Sequence, residues 1–143
     1  ISLFRENKFI EGWSGSTFDN NFDQNGEPLP EINIEENNYQ IYGTSIDEII
    51  DKKTLEIPNY IKIDVDGIEH LILKGAKELL KNKNLLEIFV EMNPGFTEQF
   101  QKIDEILLEN GFKKIYATNK DLLKNKDHKL QKFETVNTLF KRI

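Results

Sequence analysis

From residue 60 onward, short apolar runs and helical stripes take turns along the chain. In residues 60–65, Ile61, Ile63 and Val65 fall on one side at the two-residue period of a strand. Residues 68–81 then carry Ile68, Leu71, Ile72, Ala76, Leu79 and Leu80 at the spacing of one buried helix face. Residues 85–92 are apolar except for Glu87 and Glu91 and read as a central strand covered on both faces. Residues 98–110 repeat the helical pattern through Phe100, Ile103, Ile106 and Leu107. Thr97 stands as their N-cap and Gly111 as the left-handed stop. Residues 113–117 and 135–141 read as two closing strands. Alternation at this spacing predicts an α/β domain, a mostly parallel sheet with helices on its faces and right-handed crossovers, whose final strand enters antiparallel.

Upstream, residues 39–43 read as a short strand. Ser45, with Glu48 three residues later, forms a capping-box pattern for a helix carrying Ile46, Ile49 and Ile50. Gly75 inside the 68–81 pattern costs about 1 kcal/mol relative to alanine, which predicts close contact with a neighbouring backbone. Residues 1–38 differ in character. They hold Gly12, Gly15, Gly26, Pro28 and Pro30 among many Asn and Asp residues. Residues 1–4 and 8–10 are expected to form a hairpin, and 18–38 a partly mobile loop. The chain therefore divides into an irregular segment at 1–38 and the α/β region at 39–143.

The balance of charge narrows the partners. With 19 Lys and Arg against 25 Asp and Glu, the net charge of −6 argues against a nucleic-acid partner, which needs clustered cations. The absence of cysteine excludes disulfides and thiolate metal sites. No apolar run approaches the ~20 residues of a membrane span, and no signal-peptide pattern opens the chain. A cytoplasmic setting without membrane attachment is expected. The first residue is Ile1, and the chain reads as a fragment.

In an open parallel sheet, ligands bind beyond the carboxyl ends of the strands. Two of the expected strands end in acids there: Asp64-Val65-Asp66-Gly67-Ile68-Glu69-His70 after one, Glu91-Met92-Asn93-Pro94 after the other. If the strands are neighbours, Asp64, Asp66, Glu69, His70, Glu91 and Asn93 converge on one rim. They could there act as a base, hold substrate hydroxyls or bind a metal. Plainer roles exist. Asp66 suits an N-cap, Glu69 a first-turn acid facing the helix dipole, His70 a partly exposed helix position, and His128 a surface loop. Asp64 and Glu91 resist that treatment, because an unpartnered carboxylate in an apolar strand is costly.

The stretch from Lys62-Ile63-Asp64-Val65-Asp66-Gly67-Ile68-Glu69 to Leu73-Lys74-Gly75-Ala76 resembles the Lys-Ile-Asp-Val-Glu-Gly-Ala-Glu and Leu-Lys-Gly-Ala segments of FkbM-type methyltransferases. Asp66 stands where the family more often has Glu. Thr44-Ser45-Ile46-Asp47-Glu48-Ile49, the strand ending at Glu91, and Asn110-Gly111-Phe112 match further segments in order and spacing. Ser14-Gly15-Ser16-Thr17 resembles a Gly/Ser-rich stretch upstream. The resemblance covers residues 39–143 well and 1–38 loosely.

It implies the C-terminal half of a Rossmann-like methyltransferase fold, with the last strand antiparallel between its two predecessors. It also implies S-adenosylmethionine as cofactor and methyl transfer to the hydroxyl of a small-molecule or sugar acceptor. Asp64 is then the first candidate for base or orienting ligand, Glu91 the second and His70 the third. Asp64 and Asp66 face the cofactor, and Glu69 and Asn93 face the substrate. No metal ligand is assigned. The family's glycine-rich cofactor loop is not found; Gly12-Trp13-Ser14-Gly15 follows no strand and opens no helix. The isolated chain is expected to bind the cofactor weakly or not at all and to be inactive.

Two other readings stay open. Residues 61–67 also resemble the strand and Asp-x-Asp-Gly of haloacid-dehalogenase-like phosphatases, with Asp64 as nucleophile and Asp66 as acid/base beside magnesium. Ile68 replaces the Thr or Ser expected there, and Glu91 stands alone where an acidic pair belongs. The chain could instead be a non-catalytic interaction module, self-associating through an exposed sheet edge.

Overall fold

The computed structural model describes residues 2–5, 17–18, 22–23, 25–28, 38–117 and 135–143. In chain order the elements are β1 (Ser2–Arg5), β2 (Thr17–Phe18), β3 (Asn38–Ile41), α1 (Ile46–Asp51), β4 (Tyr60–Ile63), α2 (Glu69–Lys74), α3 (Lys77–Lys81), β5 (Glu87–Met92), α4 (Thr97–Glu109), β6 (Phe112–Ala117) and β7 (Val136–Arg142). They form a mixed α/β structure with two sheets, one ordered β2-β1-β3 and one ordered β4-β5-β7-β6. In the larger sheet β4 and β5 run parallel, and β7 lies antiparallel between β5 and β6. The antiparallel final strand thus takes its expected place.

β1 pairs antiparallel with both β2 and β3, so β3, at the junction of the two sequence zones, is tied to the start of the chain. The strand expected at residues 8–10, the Gly12–Gly15 region, the 118–133 connection and His128 lie outside the described residues. Part of the expected 18–38 loop is structured: Phe18 belongs to β2, and Phe22 bridges Pro28 across a turn.

The core lies on one face of the four-stranded sheet. Ile63, Ile88, Val90, Met92, Phe112 and Phe140 meet Leu73, Ala76, Leu79 and Leu80 of the α2–α3 region and Ile103 and Leu107 of α4. Burial therefore alternates along β5. Ile88, Val90 and Met92 are fully buried, while Glu87, Phe89 and Glu91 are half-exposed on the second face. This corrects the expectation of equal cover on both faces. Val65 also departs from its expected apolar side. It is 38% exposed, because the chain leaves β4 and turns through Asp66 and Gly67, both at positive φ.

The single helix expected over 68–81 is two. Gly75 separates α2 from α3, and the reason is α1. A Cβ on Gly75 would stand 3.2 Å from the Ser45 Cβ, and the Gly75 carbonyl accepts from Asp47 N at 3.0 Å. The expected close approach is therefore present, and it interrupts the helix. Asp47 then caps the second piece from outside, its carboxylate accepting from Glu78 N and Leu79 N, each at 3.0 Å. Ser45 caps α1 as expected, accepting from Glu48 N at 3.2 Å. Thr97 is the first residue of α4 and not its cap; Phe96 precedes it without a side-chain cap. Gly111 does end α4 with φ of 80°.

At the opposite end of the sheet from the strand tips, Arg142 gathers loose ends. Its guanidinium donates to the carbonyls of Leu80 (2.7 Å), Leu85 (2.8 Å) and Asn110 (3.1 Å) and lies over the Phe112 ring. Two of these carbonyls belong to helix ends, where backbone acceptors lack intrahelical partners.

Candidate functional site

β4 and β5 run side by side with Ile63 opposite Val90. The next step along each strand brings Asp64 opposite Glu91. The two carboxyls are close enough for each to shift the other's proton affinity, so they lie together at one mouth of the sheet. Each has a second partner. Lys62 Nζ pairs with Asp64 Oδ2 at 2.5 Å, and Thr135 Oγ1 donates to Glu91 Oε1 at 2.7 Å.

These partners divide the proton unequally. The Lys62 ammonium holds the Asp64 carboxyl below its ordinary range, against a smaller opposing effect of burial. Burial pushes Glu91 up, opposed by the Thr135 hydrogen bond and reinforced by the Asp64 charge. Two carboxyls in contact disfavour double ionisation. The two shifts run in opposite directions, so of the pair Glu91 holds a proton more readily than Asp64.

The β4–α2 turn is built around Glu69. This carboxylate has no exposed surface. It accepts from Val65 N at 3.1 Å, from Gly67 N at 3.1 and 3.3 Å, and from Gln99 Nε2 at 2.6 Å. Its oxygens hold the turn through these bonds, and the residue also lines the cleft in which the expected substrate contact would fall. Asp66 is not the N-cap of α2, a place taken by Ile68. It sits at φ of 55° at the crest of the turn, where it lines the cleft.

The loop after β5 is held by the same glutamine. Gln99 Oε1 accepts from Asn93 N at 2.9 Å, so one side chain of α4 links both strand-end loops. Asn93 Oδ1 accepts from Gly95 N at 2.8 Å, and Asn93 Nδ2 donates to Asn25 Oδ1 at 3.1 Å. The result is a cleft of about 240 Å³ in which Asp66, Glu69, Glu91 and Asn93 meet Asn25, Gln99 and Thr135. A larger hollow of about 470 Å³ lies between α1 and α3. Its Asp47 is engaged in capping α3, so the chemistry favours the strand-end cleft.

His70 is placed differently. It is 3% exposed, packs edge-on to Phe96 at 6.0 Å, and does not line the cleft. Burial pushes its pKa down, with the Lys74 and Lys102 charges adding to the effect. The imidazole is a neutral, buried group, not a partly exposed helix residue. No group of three or more His, Asp or Glu among the described residues is arranged to hold a metal ion.

Sequence reasoning missed Asn25, Gln99 and Thr135. Gln99 did carry a signal, since it shares the i, i+4 stripe of Ile103 and Leu107 and is 1% exposed. Asn25 belongs to an Asp-x-Asn-Gly turn, a pattern that announces the turn and not its destination. Thr135 offered nothing beyond standing before a strand.

Strand-end carboxyls beside a cleft stand where open α/β sheets bind their ligands. A family model, the methyltransferase FkbM domain, matches residues 5–114, well over half of the chain. The chain belongs to this family. Comparison with curated proteins and with solved structures gave no match. Among the described residues, no helix is long and apolar enough to cross a membrane.

The carboxyl rim is compatible with one end of the cofactor expected of a methyltransferase. S-adenosylmethionine carries a sulfonium and an ammonium cation. Asp66 lines the cleft, while Asp64, paired with Lys62, stands beside Glu91 outside the described lining; their carboxyl oxygens suit such cations.

Proposed function

We propose that this protein is an S-adenosylmethionine-dependent O-methyltransferase acting on a hydroxyl of a small-molecule acceptor, built on a Rossmann-like methyltransferase fold. Family membership and the β4-β5-β7-β6 order support the fold reading. The observation that carries the chemistry is the Asp64–Glu91 carboxyl pair at the adjoining ends of parallel β4 and β5, where Glu91 holds a proton more readily than Asp64.

In this reading the cofactor, when bound, supplies an electrophilic methyl group on sulfur, with Asp64 and Asp66 as the residues that would hold it. Asp64 also takes the acceptor's hydroxyl proton as the oxygen becomes the nucleophile. Glu91 donates a hydrogen bond to Asp64, keeping its charge localised and its orientation fixed. Thr135 and Lys62 hold the pair from either side. Glu69 and Gln99 keep the two loops at the spacing the cleft requires, and Asn93 faces the acceptor side. Positioning of this kind supplies much of the rate in a two-substrate transfer. His70 fills the layer beneath the site, against Phe96.

Calorimetry with S-adenosylmethionine tests the cofactor assignment, and formation of S-adenosylhomocysteine in the presence of hydroxylated acceptors tests the reaction. In a form of the protein that carries a glycine-rich cofactor loop, binding and turnover that are lost in Asp64→Asn are expected, whereas residues 1–143 alone should bind the cofactor weakly or not at all. Full activity in Asp64→Asn, or magnesium-dependent phosphate release from a generic ester without methyl transfer, would overturn the reading.

A further inference from the structure

Beside the strand-end cleft lies a buried titratable group that the proposed chemistry does not use. His70 is 3% exposed, and its Nδ1 has no hydrogen-bond partner among the described residues. A buried polar atom without a partner is uncommon and costly. The surroundings also disfavour a proton there. After burial itself, Lys74 of the same helix and Lys102 of α4 act against protonation, and Glu98 of α4 and the Gly67 backbone favour it more weakly. Glu69, the preceding residue of α2, is engaged by Val65 N, Gly67 N and Gln99. The loop Asn93-Pro94-Gly95-Phe96 brings no titratable group.

Phe96 lies edge-on to the imidazole, with ring centroids 6.0 Å apart. A turn from the N-terminal region seats on the same Phe96 ring. Phe22 packs edge-on to it at 5.2 Å. Gly26, at φ of 78°, lies so close that a Cβ there would stand 2.5 Å from the ring. The acids of this turn are Asp23 and Glu27. Asp23 Oδ1 accepts from Asn25 N at 2.8 Å and from Glu27 N at 3.0 Å, which shapes the turn. Asn25 Oδ1 then accepts from Asn93 Nδ2 at 3.1 Å, and Asn25 forms part of the cleft wall. The ring contacts and the hydrogen bond all fall on the one loop from Asn93 to Phe96, directly over His70.

We propose that this turn is a strap on the strand-end cleft, latched through Phe96 onto a neutral His70 and released when the imidazole takes a proton. An imidazolium between Lys74 and Lys102 needs water, and reaching water displaces the Phe96 ring. Gly26 and Phe22 then lose their seat, the Asn25–Asn93 bond opens, and the cleft loses that wall. The latch holds above the ordinary histidine value and is lost as pH falls through the lower value of the docked state. It governs access to the cleft and stands or falls apart from the methyl-transfer reading.

The test is a pH titration of the chain by two-dimensional NMR, from about pH 8 to about pH 4, a span around the ordinary histidine range. The His70 ring protons follow its own titration, the Gly26 amide reports the Phe96 ring current, and Ile88 and Phe140 report the core. The Gly26 signal is expected to lose its ring-current shift with the midpoint of His70, while the core signals stay in place. Gly26→Ala should undock the turn at every pH, seen at the Asn25 side-chain amide, with the core intact. His70→Leu should keep Gly26 docked throughout. Asp23→Asn and Glu27→Gln remove the turn's own titrating groups and should leave the midpoint where it is. A Gly26 signal indifferent to the His70 titration, release that persists in His70→Leu or moves with Asp23 or Glu27, or loss of core signals together with the turn would each overturn the latch. Should His70→Leu fail to fold, the agreement or disagreement of the two midpoints in the unsubstituted chain decides.

Discussion

Gln99 Nε2 donates to Glu69 Oε2 at 2.6 Å, joining α4 to the turn after β4 through two side chains that are almost wholly buried. The same glutamine accepts from Asn93 N. Replacing it with leucine removes the side-chain acceptor of the buried Asn93 N–H and one of the two donors to Glu69 Oε2, which keeps Gly67 N. Such groups cost about 1–3 kcal/mol each when left unsatisfied. Gln99→Leu is therefore expected to destabilise the protein by roughly 2–4 kcal/mol in urea unfolding. A loss below half a kilocalorie would show that the link is not structural.

The carboxyl pair gives a catalytic prediction. Asp64→Asn keeps the shape of the residue and removes its capacity to take a proton. Turnover should fall by about 10²–10⁴, the usual range for a lost general base, while the fold persists by circular dichroism.

Glu91 makes a prediction about pH. Its pKa is raised, so folding favours the protonated form. That contribution is fully present below the ordinary value of 4.5 and is lost as pH rises through the higher folded value. Glu91→Gln keeps an acceptor for Thr135 and a donor for Asp64. Thermal melts of this variant across pH 4 to 8, as approximate bounds spanning the ordinary glutamate range, should lose the decline attributable to Glu91. An unchanged profile would count against the shared proton.

His70 has the opposite dependence. Its pKa is lowered by burial, so stability is fully present above the ordinary value of 6.5 and is lost as pH falls through the folded value. His70→Leu should be at least as stable at neutral pH and should flatten the acid-side decline. If methyl transfer collapses in His70→Leu while its stability holds, the imidazole has a role in the chemistry and not only in packing.

Asp47 is a cap supplied across a gap in sequence. Asp47→Ala removes the acceptor for Glu78 N and Leu79 N and should cost about 1–2 kcal/mol, the range for lost N-caps. Asp47→Asn should recover most of it. Chemical denaturation of the two variants checks both statements.

What could be read from the sequence depended on how local its cause was. The apolar periods of 60–65, 85–92 and 98–110 gave strands and a helix close to β4, β5 and α4, because burial of one face imposes those periods directly. The strand ends that bring Asp64 beside Glu91 followed from the parallel pairing. The break at Gly75 was hidden, since it results from α1 arriving at Ser45 and Asp47, which no property of the helix itself announces. The structural share of Glu69 was hidden for a similar reason. An acid after a strand looks like a ligand group until the backbone N–H groups of Val65 and Gly67 and the Gln99 amide are seen to occupy it. Asn25 was unreadable as a site residue, because its contact with Asn93 spans 68 residues of sequence.

The place of β7 sets the order in which the sheet can be completed. β6 reaches the rest of the sheet only by way of β7, the latest strand in the sequence. During synthesis on a ribosome, β6 and its flanking helix must wait, with edges unsatisfied, until that keystone emerges. Closure of the larger sheet is therefore an event of the finished segment and not of the growing one, and chaperone protection matters most in that interval.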